Sequence, residues 1–142
     1  MADLDPLIRY RKHGVEEKQR ALARLYEELE KLAHNKAALE RQIEDETALA
    51  KEMGTVDALR DLDLFRKATK KRIAALGLAI EKMEVRIVAA QEDMREAFSD
   101  MKKVEITARE RKKREKKDQN RKESRELDEI GIEQHRRKSE EK

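Results

Sequence analysis

The sequence predicts an all-α protein in which two long helices form an antiparallel coiled-coil hairpin with a C-terminal helical overhang. Two observations favour helices: charged residues make up 47% of the 142 residues, and apolar residues recur at alternating spacings of three and four. A globular domain carries about 25% charged residues, so this chain cannot bury most of its side chains in a globular core. A third observation, a glycine between two such apolar runs, favours a hairpin.

The first helix is predicted over residues 4–53. Asp3 or Asp5 can accept a hydrogen bond from a free backbone N–H, and Pro6 fits the first turn, where its missing N–H costs nothing. One heptad register covers the run, with some polar exceptions. Its a positions are Ile8, Val15, Leu22, Leu29, Lys36, Ile43 and Ala50, and its d positions are Leu4, Arg11, Lys18, Leu25, Leu32, Leu39, Glu46 and Met53.

A turn is predicted at residues 54–58, with Gly54 just past the first helix and Thr55 or Asp57 as the cap of the next. The second helix is predicted over residues 59–108 and pairs with the first. Its a positions are Leu59, Arg66, Ile73, Ile80, Ile87, Met94, Met101 and Ala108, and its d positions are Leu62, Thr69, Leu76, Met83, Ala90, Ala97 and Val104. Two apolar seams of matched length around one turn favour an antiparallel hairpin over a parallel dimer.

Residues 109–130 are predicted to form a basic helical overhang, and residues 131–142 a flexible tail, with residues 1–142 making a single structural unit. Residues 109–122, here named the basic segment, contain nine Lys or Arg and three Asp or Glu residues. Such a segment can bind an anionic partner, either nucleic acid or an acidic protein surface, or it can be a solvated helix face.

The sequence has no enzyme signature, and we predict no catalytic residue, cofactor, metal site or small-molecule substrate. Its four glycines are isolated, its three histidines lie far apart, and it contains no cysteine. No apolar run is long enough to span a bilayer and the first residues do not look like a signal peptide, so we expect a cytoplasmic protein.

The aromatic residues Tyr10, Tyr26, Phe65 and Phe98 fall beside the predicted seams. We expect Tyr26 and Phe98 to cover the edges of the seams. Phe65, which lies close to the turn, is a candidate partner contact because aromatic side chains contribute a large share of interface energy.

Several segments together carry a resemblance to a known family. They are Leu4–Arg9, the turn at Gly54, Glu96–Phe98, Lys102–Glu105, Arg109–Arg111, Glu126–Gly131 and His135–Lys138. In these segments and in its layout, the chain resembles the FliJ family of the bacterial flagellar type III export apparatus and the related coiled-coil stalk proteins of virulence secretion systems.

The resemblance implies a non-enzymatic stalk or adaptor, similar in fold to the central stalk of rotary ATPases and associated with the export apparatus at the inner membrane. The end bearing both termini would enter the hexameric flagellar export ATPase and promote its ring assembly or activity. The turn would face the membrane export gate protein, with Phe65 as the contact, and export substrate chaperones would also bind. On the ATPase side, the resemblance implies Arg9, Arg11, Arg109, Arg111, Lys112, Lys113 and Arg114.

Two other functions stay open from the residues alone. A nucleic-acid-associated protein would use the basic segment, and a salt-sensitive affinity for DNA or RNA would favour it. The acidic residues within the segment and its lack of aromatic side chains count against nucleic acid as a partner. The other function is that of a homodimeric coiled-coil scaffold. It would be favoured if a Gly54→Ala variant formed one continuous helix without loss of stability.

Overall fold

The computed structural model describes residues 3–141, and these residues form two α-helices and no β-strand. Helix α1 spans Asp5–Met53, with 49 residues, and helix α2 spans Val56–Glu140, with 85 residues. Apolar side chains of α1 pack against those of α2. The predicted all-α helical hairpin is therefore confirmed.

The chain is divided into two compact units, where the sequence predicted a single unit over residues 1–142. One unit is His13–Ala97, which includes the turn and a segment of each helix. The other combines Met1–Lys12 with Phe98–Lys142. The heptad pattern gives no sign of this division because both apolar seams run through the boundaries without a break in spacing.

The seam between the helices forms the core of the His13–Ala97 unit. Leu22, Met83 and Ile87 make a buried cluster, with exposed fractions of 9%, 8% and 5%. Five partly buried residues pack around it: Leu25, Leu29, Leu32, Ala90 and Met94. Full burial of a Leu, Ile or Met side chain contributes about 1.5–3 kcal/mol, so this cluster is a main source of stability for the helix pair.

The burial pattern confirms the predicted heptad registers. Each residue that the structure buries, among residues 3–141, lies at a predicted a or d position. These residues are Val15, Leu22, Ala50, Thr69, Met83, Ile87, Met101 and Ala108. The helices are antiparallel because only two residues connect them, and Gln91 Nε2 of α2 donates a hydrogen bond of 2.6 Å to the Tyr26 hydroxyl oxygen of α1.

The seam is incomplete at some predicted positions. The charged residues Arg11, Lys18, Glu46 and Arg66 are exposed. Next to the turn, the side chains of Met53 and Leu59 are 61% and 50% exposed, although their spacing predicts seam positions. These two residues belong to the last layer of the hairpin, which has a neighbouring layer on one side only, so their register cannot give full burial.

The turn is shorter than predicted, because only Gly54 and Thr55 lie between the helices. Gly54 has a φ of 64°, and its N–H donates to the Ala50 carbonyl oxygen at 3.1 Å. The Thr55 hydroxyl oxygen accepts a hydrogen bond of 3.1 Å from the N–H of Ala58. Thr55 therefore caps α2, which begins three residues before the predicted start at residue 59.

Helix α2 also continues farther than predicted, through Gly131 to Glu140. The sequence predicted that Gly131 ends the helix and that residues 131–142 form a tail. A glycine inside a helix costs about 1 kcal/mol, which a long helix tolerates when the neighbouring residues are good helix formers. Arg136 and Arg137 add contacts to Glu133 at 2.9 and 3.7 Å, one turn apart on the helix.

Replacing Gly54 with alanine is expected to lower the free energy of unfolding by about 1–2 kcal/mol, because an L-residue is strained at a positive φ. Urea denaturation followed by circular dichroism measures this change. Gly131→Ala is the matched control: it lies in a helix with no atom within 4 Å of the added Cβ, so it is not expected to lower stability. Equal behaviour of the two variants would contradict the role of Gly54 in the turn.

Candidate functional site: two partner-binding surfaces

The basic segment is a fully exposed part of α2. All of residues 109–132 are exposed, and the helix is continuous through them. Helical periodicity therefore decides which cations share a face. Residues at spacings of three and four from Arg109 fall on one side of the helix, here named the basic stripe: Arg109, Lys112, Lys113, Lys116 and Lys117.

Only some of the predicted ATPase-side residues of α2 lie on the basic stripe. Arg109, Lys112 and Lys113 lie on it, while Arg111 and Arg114 lie on the other side of the helix, near Glu115 and Asp118. Lys116 and Lys117 complete the stripe; they belong to the basic segment but were not among the predicted ATPase-side residues, which followed the linear cluster of charge. The spacing of three and four within the predicted helix is the signal that could have found them.

The first turn of α1 lies beside this stripe, within the unit that combines Met1–Lys12 with Phe98–Lys142. Lys112 Nζ lies 3.9 Å from a carboxylate oxygen of Asp5, and both side chains are more than half exposed. Leu4 and Asp5 form a shallow surface together with Ala108 and Lys112. An exposed pair of this kind contributes about 0–1 kcal/mol, so it leaves Lys112 available to a partner.

Arg9 and Arg11 belong to the same unit and are exposed. Arg9 follows Asp5 by four residues, so both lie on one face of α1. Within residues 3–141, the ion pair that involves a residue of the basic stripe is that between Lys112 and Asp5. The unit therefore carries exposed cations on both helices.

A second surface surrounds the turn in the His13–Ala97 unit. Four of its apolar side chains are exposed: 51% for Leu49, 61% for Met53, 72% for Val56 and 50% for Leu59. We name these four residues and Phe65 the turn patch. Exposed apolar side chains grouped in one place are typical of a binding surface.

Phe65 is the half-buried member of the turn patch. With Leu49, Met53 and Leu62 it lines an open groove of about 400 Å³. Phe65 was predicted from the sequence, whereas its neighbours Met53 and Leu59 were not, because the heptad pattern places them in the seam. Their position in the last layer before a turn is the signal that predicts exposure.

Tyr26 and Phe98 lie at the seam edges, as predicted. Tyr26 is 45% exposed and is held by its hydrogen bond to Gln91. Phe98 is 47% exposed, and Lys102 Nζ lies 5.4 Å from the centre of its ring, within the range of a cation–π contact. These local contacts account for both aromatic side chains.

The described residues contain no arrangement typical of catalysis by a metal. Within residues 3–141, no group of three or more His, Asp or Glu side chains is placed to hold a metal ion. In the same part of the chain, neither helix is long and apolar enough to cross a membrane.

The two helices form a coiled-coil hairpin with an exposed basic stripe and exposed apolar side chains near its turn. The family described as Flagellar FliJ protein matches residues 1–140 of the chain. The chain therefore belongs to the FliJ family, whose members are non-catalytic components of flagellar protein export. Searches of curated proteins and of solved structures found no match.

Proposed function

We propose that this protein is a stalk or adaptor that promotes ring assembly or activity of the hexameric flagellar export ATPase and couples it to the export gate. Membership of the FliJ family supports a role in flagellar export. The observation that supports contact with the ATPase is the exposed basic stripe, with the exposed Arg9 and Arg11 in the same unit. We place the protein in the cytoplasm, peripherally associated with the export apparatus at the inner membrane.

Electrostatics supports the ATPase contact. A helix face that carries five cations attracts an acidic surface and speeds the encounter with it, an effect that falls as salt rises. Arg111 and Arg114, on the other side of the helix, have acidic neighbours and attract an anionic partner less strongly. The basic stripe is therefore the part of the segment that we propose contacts the ATPase.

The turn patch supports the gate contact. Its exposed aliphatic side chains and Phe65 offer apolar area that a partner can bury. This surface differs in chemistry from the cation cluster, so the two suit different partners. Export substrate chaperones are further proposed partners, without residues assigned to them.

The ATP hydrolysis rate of the export ATPase from the same organism tests the proposal. The ATPase is held near its threshold concentration for ring assembly, and the full chain is titrated into it. We expect stimulation, and we expect a chain that ends at Ala108 to lose it. If the full chain gives no stimulation of an ATPase that forms rings, the proposal is wrong.

Two matched charge-reversal variants test whether the ATPase contacts the basic stripe. Lys113→Glu/Lys116→Glu reverses two stripe residues, whereas Arg111→Glu/Arg114→Glu reverses two residues of the same segment off the stripe. Both variants change the net charge equally. We expect the first to raise the concentration for half-maximal stimulation by about tenfold or more, and the second to have a smaller effect. Equal losses would indicate a general charge effect.

Nucleic acid is the competing partner for the basic segment. The assay for it is binding of the full chain to DNA and RNA as salt is raised through the physiological range, because phosphate contacts give a steep salt dependence. Tight binding at physiological salt, together with no effect on the ATPase, would favour the nucleic-acid function over the proposed one.

A further inference from the structure

The outer face of α2 carries apolar side chains that have no partner within the hairpin. In the His13–Ala97 unit, Leu78, Val85 and Val88 are 60%, 70% and 65% exposed. They lie on the side of α2 opposite the seam positions Ile80, Met83 and Ile87. Three exposed alanines extend the same face: Ala74, Ala75 and Ala89.

This face has a symmetric order of residues about a midpoint between Glu81 and Lys82. Leu78 lies three residues before Glu81, and Val85 lies three residues after Lys82. Counted in the same way, Ala75 corresponds to Val88 at six residues, and Ala74 corresponds to Ala89 at seven. Small residues at the ends of the apolar stretch allow two helices to approach closely. The face is therefore complementary in shape to itself when one copy is reversed.

The charges that flank the apolar stretch follow the same symmetry. Ten residues out from the midpoint, Lys71 corresponds to Glu92, and the next pairs outward are Lys70 with Asp93 and Lys67 with Glu96. Lysines lie on the N-terminal side and acids on the C-terminal side. An antiparallel second copy therefore places opposite charges against each other at both ends, while a parallel copy places like charges together.

When residues 67–96 of two antiparallel copies are aligned about this midpoint, no residue faces one of like charge in the other copy. Two ion pairs within the chain involve the same residues: Lys67 with Asp63 at 3.1 Å, and Arg95 with Glu92 at 3.3 Å. All four of those side chains are more than half exposed, so such pairs are weak and exchange readily with a new partner.

We propose that the outer face of α2 is a self-association surface that binds a second copy of this chain in a two-fold, antiparallel arrangement. In an isologous contact, Leu78 of each copy packs on Val85 of the other, and Lys71 of each meets Glu92 of the other. The apolar centre is short, which places the contact in the class of small, transient interfaces. This inference is independent of the proposed function.

Sedimentation velocity of the full chain over a range of concentrations tests the proposal. We expect a monomer–dimer equilibrium with a midpoint on the order of 10–100 µM, as befits a small interface. Leu78→Glu/Val85→Glu is expected to shift the midpoint at least about tenfold upward, because each dimer loses two symmetric contacts. Leu127→Glu, at a residue that is 68% exposed elsewhere on α2, is the control and is expected to change nothing.

Charge reversal tests the antiparallel register. Lys71→Glu alone is expected to weaken the dimer, since it places two acids together at both ends. Lys71→Glu combined with Glu92→Lys is expected to restore the dimer, because the swapped charges meet each other across the two-fold axis. Non-specific apolar association would not be restored in this way.

Oxidative crosslinking gives a second test, since the chain contains no cysteine. Lys82→Cys lies beside the two-fold axis and is expected to form a disulfide between copies. Lys71→Cys is not, because the two copies of residue 71 would lie about 30 Å apart along the helices. A chain that stays monomeric at millimolar concentration overturns the proposal, as does a dimer that Leu78→Glu/Val85→Glu does not weaken.

Discussion

Replacing Ile87 with alanine is expected to lower the free energy of unfolding by about 2–4 kcal/mol. Ile87 is 5% exposed and packs with Leu22 and Met83 in the buried cluster between the helices. The hairpin is only two helices thick, so few neighbouring side chains can move in to fill the space that the missing atoms leave. The loss therefore includes both the transfer free energy of the removed carbons and the unfilled volume.

Urea denaturation followed by circular dichroism measures this effect. The matched control is Ile106→Ala, which makes the same change on the same helix at a side chain that is 50% exposed. Alanine is a better helix former than isoleucine, so the control is expected to change stability by less than about 1 kcal/mol. If both variants lost stability equally, the cluster around Leu22 would not be the main contributor to the hairpin.

Replacing Phe65 with alanine is expected to weaken binding to the cytoplasmic part of the export gate protein by about ten- to a hundredfold, if the turn patch is the proposed gate contact. Aromatic side chains, including Phe, are enriched at protein interfaces, and a few well-packed residues carry most of the binding free energy. Leu59→Ser, which removes an apolar side chain that is 50% exposed, is expected to act in the same direction.

Isothermal titration calorimetry with the purified gate domain provides the affinities. Leu127→Ser is the matched control for Leu59→Ser, since it makes the same change at a leucine that is 68% exposed outside the turn patch. Circular dichroism confirms that each variant keeps its helices. Unchanged affinity in both Phe65→Ala and Leu59→Ser would remove the turn patch from the proposed gate contact.

The sequence was sufficient to predict the helical hairpin, most of its seam and the position of its turn at Gly54, although not the length of the turn. Val15, Leu22 and Ile87 are buried because a spacing of three and four keeps one side of a helix facing its partner. The prediction failed at Met53 and Leu59, where the heptad pattern continues but the layer next to the turn is incomplete. Periodicity specifies the direction of a side chain, whereas burial also requires a neighbour.

The candidate surfaces were only partly predictable. The linear cluster of charge led to Arg109–Arg114, whereas the division into a basic stripe and an opposite side follows from helical periodicity, which the predicted helix over residues 109–130 already allowed. The contact of Lys112 with Asp5 depends on the two-residue turn, which sets the alignment of the helices. The partners of both surfaces remain proposals, because no geometric feature of an exposed face names the protein that binds it.

The unbroken helix from Ala108 into the basic segment imposes a rule on how this region can change in length. A substitution at an exposed position leaves every other side chain where it was. One residue inserted after Ala108 would turn all that follows by about 100° around the helix axis and move the stripe away from Asp5. Seven inserted residues would return the stripe to nearly its first direction, displaced by about 10 Å along the axis. Substitutions that keep the stripe cations are therefore tolerated, while changes in length are confined to insertions close to a whole number of helical turns, such as seven, eleven or eighteen residues.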